Sequence, residues 1–565
     1  MKLVECVPNF SEGKDLAKIK TITDVISGVD GITILDIDPG ADTNRTVVTF
    51  VGEPDAVSEA AFLGIKTAAE VIDMSKHKGA HARIGATDVC PFIPIANMSD
   101  DECIDLSKLV GKRVGEELGI PVYLYENSAQ KPDRVNLPTI RKGEYEGLAK
   151  KLKDENWKPD YGPVEFNSGA GATVMGMRDF LIAYNINLNT KDQRLATDIA
   201  FELRESGRSK RIPNPNSPNL LDGEIVRKKD GSPVKVPGMF KDVKGVGWYI
   251  DTFKRAQISI NFNNYKGSTI HEVFDAACKL ADERGIRVTG SELVGLIPLD
   301  AILMAGKHYL QKQGRTIGVP ELDIIESAIQ SLGLNDVTPF APEEKIIEFA
   351  VGEKSGKLMS LSVDGFTNEL SSNSPAPGGG SVVALSGSLG AALSSMVAAL
   401  THEKKGFESQ KTEMNMIGQD AQAIKDRLSF LVDEDTHAFN KVMAANRLLA
   451  SNDEEKAMKA GAILQANKYA IDVPFEVATL CYSIIELADV LVSKGNPNSV
   501  SDAGVAAEVA LAGVRGAAMN VLINLSGVDD DAYCGEKRND VNDLIQKAEA
   551  KNKVVFDKTI GVINS

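Results

Sequence analysis

The character of the chain changes near residue 360, and that change limits the folds open to it more than any other feature. Before it, short β-branched runs such as GITILDID (31–38), TVVTFVG (46–52) and FLIAYNINL (180–188) alternate with charged, helix-like segments such as 99–118 and 191–206. Such alternation predicts sheets covered by helices. After it, alanine-rich segments at 383–400, 410–448, 454–470, 474–493 and 501–523 follow one another with few strand signals. Alanine and leucine at helical spacing, broken at short intervals, predict a helical bundle. Two similar progressions, one before about residue 175 and one after it, divide the first half. The expected architecture is α+β, with two α/β-type subdomains of mainly antiparallel sheets and packed helices (1–176 and 177–350), followed by a linker (351–362) and an all-α helical bundle domain (363–565). A chain of 565 residues needs several cores in any case. The segment 211–240, crowded with Pro, Asn and Gly, cannot hold a long helix and is expected as a surface insertion.

Charge and cysteine usage narrow the partners and the setting. A formal net charge of -16 argues against an extended grip on nucleic acid, which calls for a basic face. Six scattered cysteines without a C-x-x-C pair fit free thiols in a reducing compartment. The opening MKLVECVPNF lacks the regions of a signal peptide, so a cytoplasmic location is expected, and the N-x-S/T matches at 9–11, 44–46 and 524–526 are read as chance. From Ser374 to Thr401 no residue is charged, a length that would permit a membrane span. Its many Ser, Gly, Ala and Pro residues and its lack of aromatic and basic flanks favour a buried central helix instead, with no membrane partner. Gly378, Gly379 and Gly380, with Ser381, then fall at the helix start, where free backbone N–H groups suit an anion; a flexible hairpin is the plainer reading.

The stretch SKHKGAHARIGATDVCPFIP (75–94) holds His77 and His81 four residues apart. On a helix the pair would suit zinc, but Gly79 and Gly85 argue against a helix, and Asp88 is the one further ligand type close by. Two surface imidazoles on a turn, or one imidazole moving protons beside Arg83 as an anchor for a substrate carboxylate, remain open on spacing alone. In the second half, VDEDTHAF would ordinarily be a solvated helix face. At helical spacing, however, Asp435 shares a face with Leu431 and Phe439 while Asp433, Glu434 and His437 diverge from it. A carboxylate turned to the apolar side is costly unless paired or functional.

LVECVPNFSEG (3–13), TNRTVVTFVG (43–52), HKGAHARIGATDVCPFIP (77–94), PVYLYE (121–126), FLIAYNINL (180–188), GVGWYID (245–251) and LVGLIPLDA (293–301) closely resemble glutamate formimidoyltransferases. APGGGSVVALSGSLGAAL (376–393), LVDEDTHAF (431–439), DVPFEVA (472–478) and AAMNVLINL (517–525) resemble formimidoyltetrahydrofolate cyclodeaminases. The whole chain thus resembles the bifunctional formimidoyltransferase-cyclodeaminase family of histidine breakdown.

The resemblance implies transfer of a formimidoyl group between N-formimidoyl-L-glutamate and N5 of tetrahydrofolate, then closure to 5,10-methenyltetrahydrofolate with loss of ammonia. It places the transferase acid/base on His81, leaving His77 a bystander, and the cyclodeaminase acid/base on Asp435. The family's folate-binding segment falls on Gly162, Pro163, Val164, Glu165, Phe166, Asn167, Ser168, Gly169, Ala170 and Gly171. Its glycines would admit a flat pteridine close to the backbone. This chain departs from vertebrate members in having Ala82 for proline, and Gly169 and Ala170 for serine and tryptophan. Second-tier substrate contacts are Arg83, Asp38 with Asp36, Asn44, Arg45, Gly378, Gly379, Gly380, Ser381 and Asn520; a turn-capping role for Asp36 and Asp38 is the plainer alternative. Tetrahydrofolate enters as substrate and one-carbon carrier, with no metal, nicotinamide or flavin expected, and family members associate as homo-oligomers. Two alternatives are a helical half that acts as a methenyltetrahydrofolate cyclohydrolase, and a non-catalytic folate-binding scaffold.

Overall fold

Strand alternation builds the first sheet. In the computed structural model, which describes residues 2–40, 44–79, 82–217, 219–351 and 357–565, the described part of the chain divides into two units. One comprises Met1–Ile302 with Leu332–Gly352, the other Leu303–Ser331 with Glu353–Ser565. His81 and residues 352–356 of the expected linker lie outside the described residues.

The first unit opens with β1 (Leu3–Cys6), β2 (Asn9–Phe10), helix α1 (Leu16–Ser27), β3 (Thr33–Gly40), β4 (Arg45–Gly52), α2 (Pro54–Val71), β5 (Thr87–Ala96), α3 (Asp100–Glu117), β6 (Val122–Leu124), α4 (Leu137–Arg141), α5 (Glu144–Lys151) and β7 (Thr173–Met177). β1 and β2 are successive pieces of one line that runs between β4 and β5, pairing antiparallel with both. β3 extends the sheet beyond β4, and β5, β7 and β6 continue it in parallel. α3 begins with a reciprocal cap in which Ser99 and Glu102 bond each other's backbone N–H, satisfying two donors a helix start leaves open. Val4, Cys6, Phe10, Phe50, Ile65, Phe92 and Val110 form the core beneath the helices.

The second sheet, ordered β13–β14–β8–β15, is antiparallel throughout, from β8 (Ile182–Leu188), β13 (Val243–Ile250), β14 (Arg255–Phe262) and β15 (Val288–Val294). Along β13 buried Val243, Gly245 and Gly247 alternate with exposed Lys244, Val246 and Trp248, the period of two that a half-covered sheet requires. α6 (Gln193–Leu203) and α7 (Ile270–Asp282) cover its apolar side, where Tyr184, Ile186, Ile258 and Phe262 are buried. Between α6 and β13 the described residues of 211–240 form no long helix. The two-residue strands β9 (Arg208–Ser209), β10 (Arg211–Ile212), β11 (Glu224–Ile225) and β12 (Lys235–Val236) pair there as β10–β11 and β9–β12, and Arg227 bridges Pro233.

After β15 come α8 (Leu299–Lys312), α9 (Glu321–Leu332), α10 (Pro342–Lys345) and α11 (Ile347–Val351). Residues 303–331 pack with the second unit: Asn415 accepts from the Thr316 hydroxyl and the Ile317 N–H at 2.8 and 2.9 Å. The bundle itself is α12 (Val363–Leu370), α13 (Gly379–Glu403), α14 (Lys411–Arg447), α15 (Asp453–Lys494), α16 (Val500–Asn524) and α17 (Asp531–Ile563). Two expectations change here. The segments 454–470 and 474–493 are one helix of 42 residues that runs through Pro474. α17, which carries no alanine-rich signal, completes the bundle. Stretches 379–403 and 497–527 are long and apolar enough to cross a membrane. Here α13 buries Ala384, Gly387, Ala391, Val397 and Ala398 among the other helices, the packing of a central core helix.

Candidate functional sites

In the first unit the loop after α2 is tied down by residues from three distant segments. His77 accepts at Nδ1 from Arg83 Nε (3.1 Å) and bonds the Asn44 carbonyl through Nε2 (2.9 Å). Because arginine can only donate, the imidazole proton sits on Nε2, and His77 is a fixed strut held at both ring nitrogens. Arg83, buried at 6% exposure, also donates from Nη1 to Glu144 and Glu146 and from Nη2 to Glu146 and the His77 carbonyl. All five guanidinium hydrogens are thereby used. The donors of Arg83 are committed to the chain's own acceptors His77, Glu144 and Glu146. Glu144 and Glu146 lie in the first turn of α5, and Arg83 holds the Glu146 carboxyl below the usual carboxylate range.

Asn44, in a left-handed conformation (φ 49°), accepts from Gly13 N–H at 3.0 Å and donates to the Lys78 carbonyl at 2.9 Å. Arg45 donates to Asn9 Oδ1 at 3.0 Å and lies within electrostatic reach of Asp38, Asp88 and Arg141. Asp36 and Asp38 sit exposed within β3, two residues apart on one face, and the turn after the strand, which the plainer reading had them cap, lies outside the described residues. Asp88 is buried, accepts from Ile84 N–H and pairs with Arg141. Lys78, Gly79, Arg83, Gly143, Glu144 and Glu146 line an open depression of about 450 Å³.

The 162–171 segment reaches the same place. Gly169 and Ala170 carbonyls accept from Met74 and Ala86, Ala172 N–H donates to Ile84, and the Tyr145 hydroxyl donates to the Ser168 carbonyl at 2.6 Å. Two of its glycines do something other than expected. Gly162 (φ 83°) and Gly171 (φ 71°) lie against the backbone of Ile120 and Ile84, where a Cβ would come within 2.5 and 2.2 Å of a carbonyl oxygen. Their freedom is used for chain-to-chain crossing. Gly169 alone of the segment's three glycines has no close neighbour at its Cβ position, and Val164 and Phe166 are exposed, with Phe166 5.4 Å from the Tyr145 ring.

In the second unit the residues singled out around Asp435 converge. A Cβ added to Gly380 would lie 1.9 Å from Asp435 Oδ1, so the carboxyl rests directly on the first turn of α13. A Cβ on Gly379 would lie 3.8 Å from Asn520 Oδ1, which places the α16 amide on the other side of that turn. Ser381 is fully buried and its hydroxyl donates to the Val432 carbonyl at 2.7 Å, locking α13 to α14. Burial pushes the Asp435 carboxyl above the usual range, partly offset by the Ser381 N–H and hydroxyl beside it. A carboxyl so placed holds a proton more readily than a solvated one, which suits it to give and take protons. Gly378 has open space around it.

The other acids of the cluster are anchored rather than solvated. Asp433 accepts from the Leu358 and Met359 N–H groups at 2.8 and 3.3 Å, and Glu434 accepts from the Tyr469 hydroxyl. His437 is exposed and pairs with Glu434. Among the described residues no group of three His, Cys, Asp or Glu is placed to hold a metal ion.

A mixed-sheet unit with a polar loop cluster, joined in one chain to a bundle with a carboxyl set on a helix start, defines a two-site enzyme. Residues 3–178 match the formiminotransferase domain, N-terminal subdomain; residues 183–352 the formiminotransferase domain; and residues 362–543 the formiminotransferase-cyclodeaminase family. The chain is 41% identical over 558 residues to the formimidoyltransferase-cyclodeaminase of Mus musculus, covering 98% of both. A glutamate formimidoyltransferase of Thermoplasma acidophilum is 42% identical over 56% of this chain and 94% of its own length. A methenyltetrahydrofolate cyclohydrolase of Methylorubrum extorquens is 38% identical over 36% of this chain and 97% of its own. Among solved structures, the formiminotetrahydrofolate cyclodeaminase of Thermotoga maritima is 28% identical, covering 37% of this chain and 98% of that one, with a TM-score of 0.32. The chain belongs to the formiminotransferase-cyclodeaminase family.

Proposed function

We propose that the chain carries a formimidoyl group through two consecutive folate reactions, transfer in residues 1–350 and ring closure in residues 363–565. As a fused formimidoyltransferase and cyclodeaminase it uses tetrahydrofolate as substrate and carrier. In the first reaction N5 of tetrahydrofolate attacks the formimidoyl carbon of N-formimidoyl-L-glutamate. N5 gives up a proton, the departing glutamate nitrogen takes one, and a single imidazole serves both transfers. The family resemblance assigns this to His81, with the 162–171 segment and Asn44, Arg45 and Asp38 as folate or glutamate contacts.

In the second reaction N10 attacks the formimidoyl carbon, and the bond to the amino nitrogen breaks with loss of ammonia. Asp435 accepts the N10 proton and returns one to the leaving nitrogen, with Gly378, Gly379, Gly380, Ser381 and Asn520 around the folate. The observation that carries this reading is the Asp435 carboxyl resting on Gly380, partly buried and favouring a held proton. One finding favours a second reading: a relative named a methenyltetrahydrofolate cyclohydrolase matches 36% of this chain over 97% of its own length.

The test is incubation of the full chain with tetrahydrofolate and N-formimidoyl-L-glutamate, following methenyl product and ammonia together. Equimolar formation is expected; hydrolysis of supplied methenyltetrahydrofolate without any ammonia-releasing activity would instead establish the cyclohydrolase. His81→Ala is expected to abolish transfer while sparing ring closure of supplied 5-formimidoyltetrahydrofolate, and Asp435→Asn to do the reverse. Six free cysteines are consistent with a cytoplasmic setting, and a homo-oligomer is part of the same proposal.

A further inference from the structure

Pro474 lies inside α15, and because proline has no N–H, the carbonyl of Ala470 four residues earlier loses its helical donor. The group that replaces it comes from another helix: Asn524 Nδ2, on the last turn of α16, donates to Ala470 O at 2.7 Å. A second amide runs the opposite way, Asn467 Nδ2 of α15 to the Gly527 carbonyl at 2.6 Å. The turn of α15 before Pro474 is thus stitched to the end of α16 in both directions.

The packing places this turn relative to the Asp435 site. A Cβ on Gly387 would meet Cys481 Sγ at 2.5 Å and Leu428 at 2.9 Å, and one on Gly513 would meet the same Cys481 Sγ at 2.5 Å. Gly387, Leu428, Cys481 and Gly513 therefore form one layer across α13, α14, α15 and α16. Seven residues along each helix, toward the start of α13, the next equivalent layer is Gly380, Asp435, Pro474 and Asn520. The contacts of Gly380 with Asp435 and of Gly379 with Asn520 agree with it. Pro474 is the α15 member of the layer that holds the carboxyl.

We infer that Asn524 is a positioning residue of the ring-closing site: by supplying the donor that Pro474 withdraws from Ala470, it fixes the α15 wall beside Asp435. The inference rests on the reading of Asp435 as the acid/base of that site. A wall displaced by about 1 Å is enough to cost up to 10²-fold in rate.

The test uses the full chain in a cycle of Asn524→Ala and Pro474→Ala. Asn524→Ala is expected to lower kcat of ring closure about tenfold, with KM for 5-formimidoyltetrahydrofolate changed less than about twofold and transfer unaffected. Pro474→Ala restores an N–H opposite the Ala470 carbonyl, so in that background Asn524→Ala is expected to cost less than about twofold. An equal kcat loss in both backgrounds, or a lowered Tm with kcat unchanged, overturns the inference. Near-normal ring closure in Asp435→Asn would overturn the site reading instead, and the Tm coupling between positions 474 and 524 separates the two failures.

Discussion

Single residues decide the chemistry available at each site through what surrounds them. Gly380 is the clearest case, since even one methyl there would occupy the Asp435 carboxyl's place. Gly380→Ala is expected to reduce ring closure by about 10²-fold with transfer intact, measured in parallel assays on variant whose melting curve shows it folded. Glu5, buried in β1, makes a pH-dependent contribution. Burial pushes its carboxyl up to about 7, with Arg178 drawing it partly back. A carboxyl raised in the folded state keeps its proton while the unfolded chain releases one. Stability therefore falls as pH rises from the ordinary value of 4.5 through about 7, then levels off. Glu5→Gln is expected to flatten that fall, worth on the order of 3 kcal/mol at most, in thermal melts across this range. The inward setting of Asp435 was legible from its spacing to Leu431, which is buried, whereas Phe439, the other residue of that face, is exposed. The contact of Asp435 with Gly380 was not legible, because no local pattern sets the register between α13 and α14.

At the level of elements, Arg83 joins the loop after α2 to the first turn of α5, and Tyr145 and the 162–171 segment close the same cluster. Arg83→Met is therefore expected to destabilise the first unit by about 1–3 kcal/mol, the loss that follows when a largely buried guanidinium leaves two exposed carboxylates. Transfer then falls with it while ring closure persists. A raised KM for N-formimidoyl-L-glutamate with an unchanged melting curve would instead make Arg83 the substrate anchor. Helix boundaries show how far local signals reach. Pro474 reads as a break because it removes a donor, yet α15 continues since Asn524 replaces that donor from 50 residues away. α17 was missed for a related reason. Its buried residues are Val541, Ala548, Asn552, Val555 and Thr559, a narrow seam at seven-residue spacing, two of them polar, within an otherwise charged sequence.

The whole molecule joins a unit whose sheets carry one cluster to a bundle that carries the other, and each is held by its own core. Along α13, Val382, Leu389 and Met396 are exposed at seven-residue intervals, with Leu400 one turn further. Such a seam is what helix-to-helix association uses, and a second copy of the chain is its proposed occupant. Light scattering is expected to show an oligomer. Val382→Glu combined with Leu389→Glu is expected to shift it toward monomer, whereas a parent chain that is already monomeric at micromolar concentration would refute the proposal.

Periodicity and composition act over a few residues, so the sequence by itself determined the class: sheets with helices up to about residue 350, helices beyond it, and a carboxyl at 435 turned inward. Sequence motifs likewise marked the two chemistries and the residues assigned to them. Tertiary structure decided everything that depends on register between distant segments. It spent the donors of Arg83 on Glu144 and Glu146, turned His77 into a strut, and used Gly162 and Gly171 for chain crossings. It also drew residues 303–331 into the bundle and set Asp435 on Gly380. Each of these is a distance between groups far apart in the chain, fixed by packing, and packing is where the local code ends.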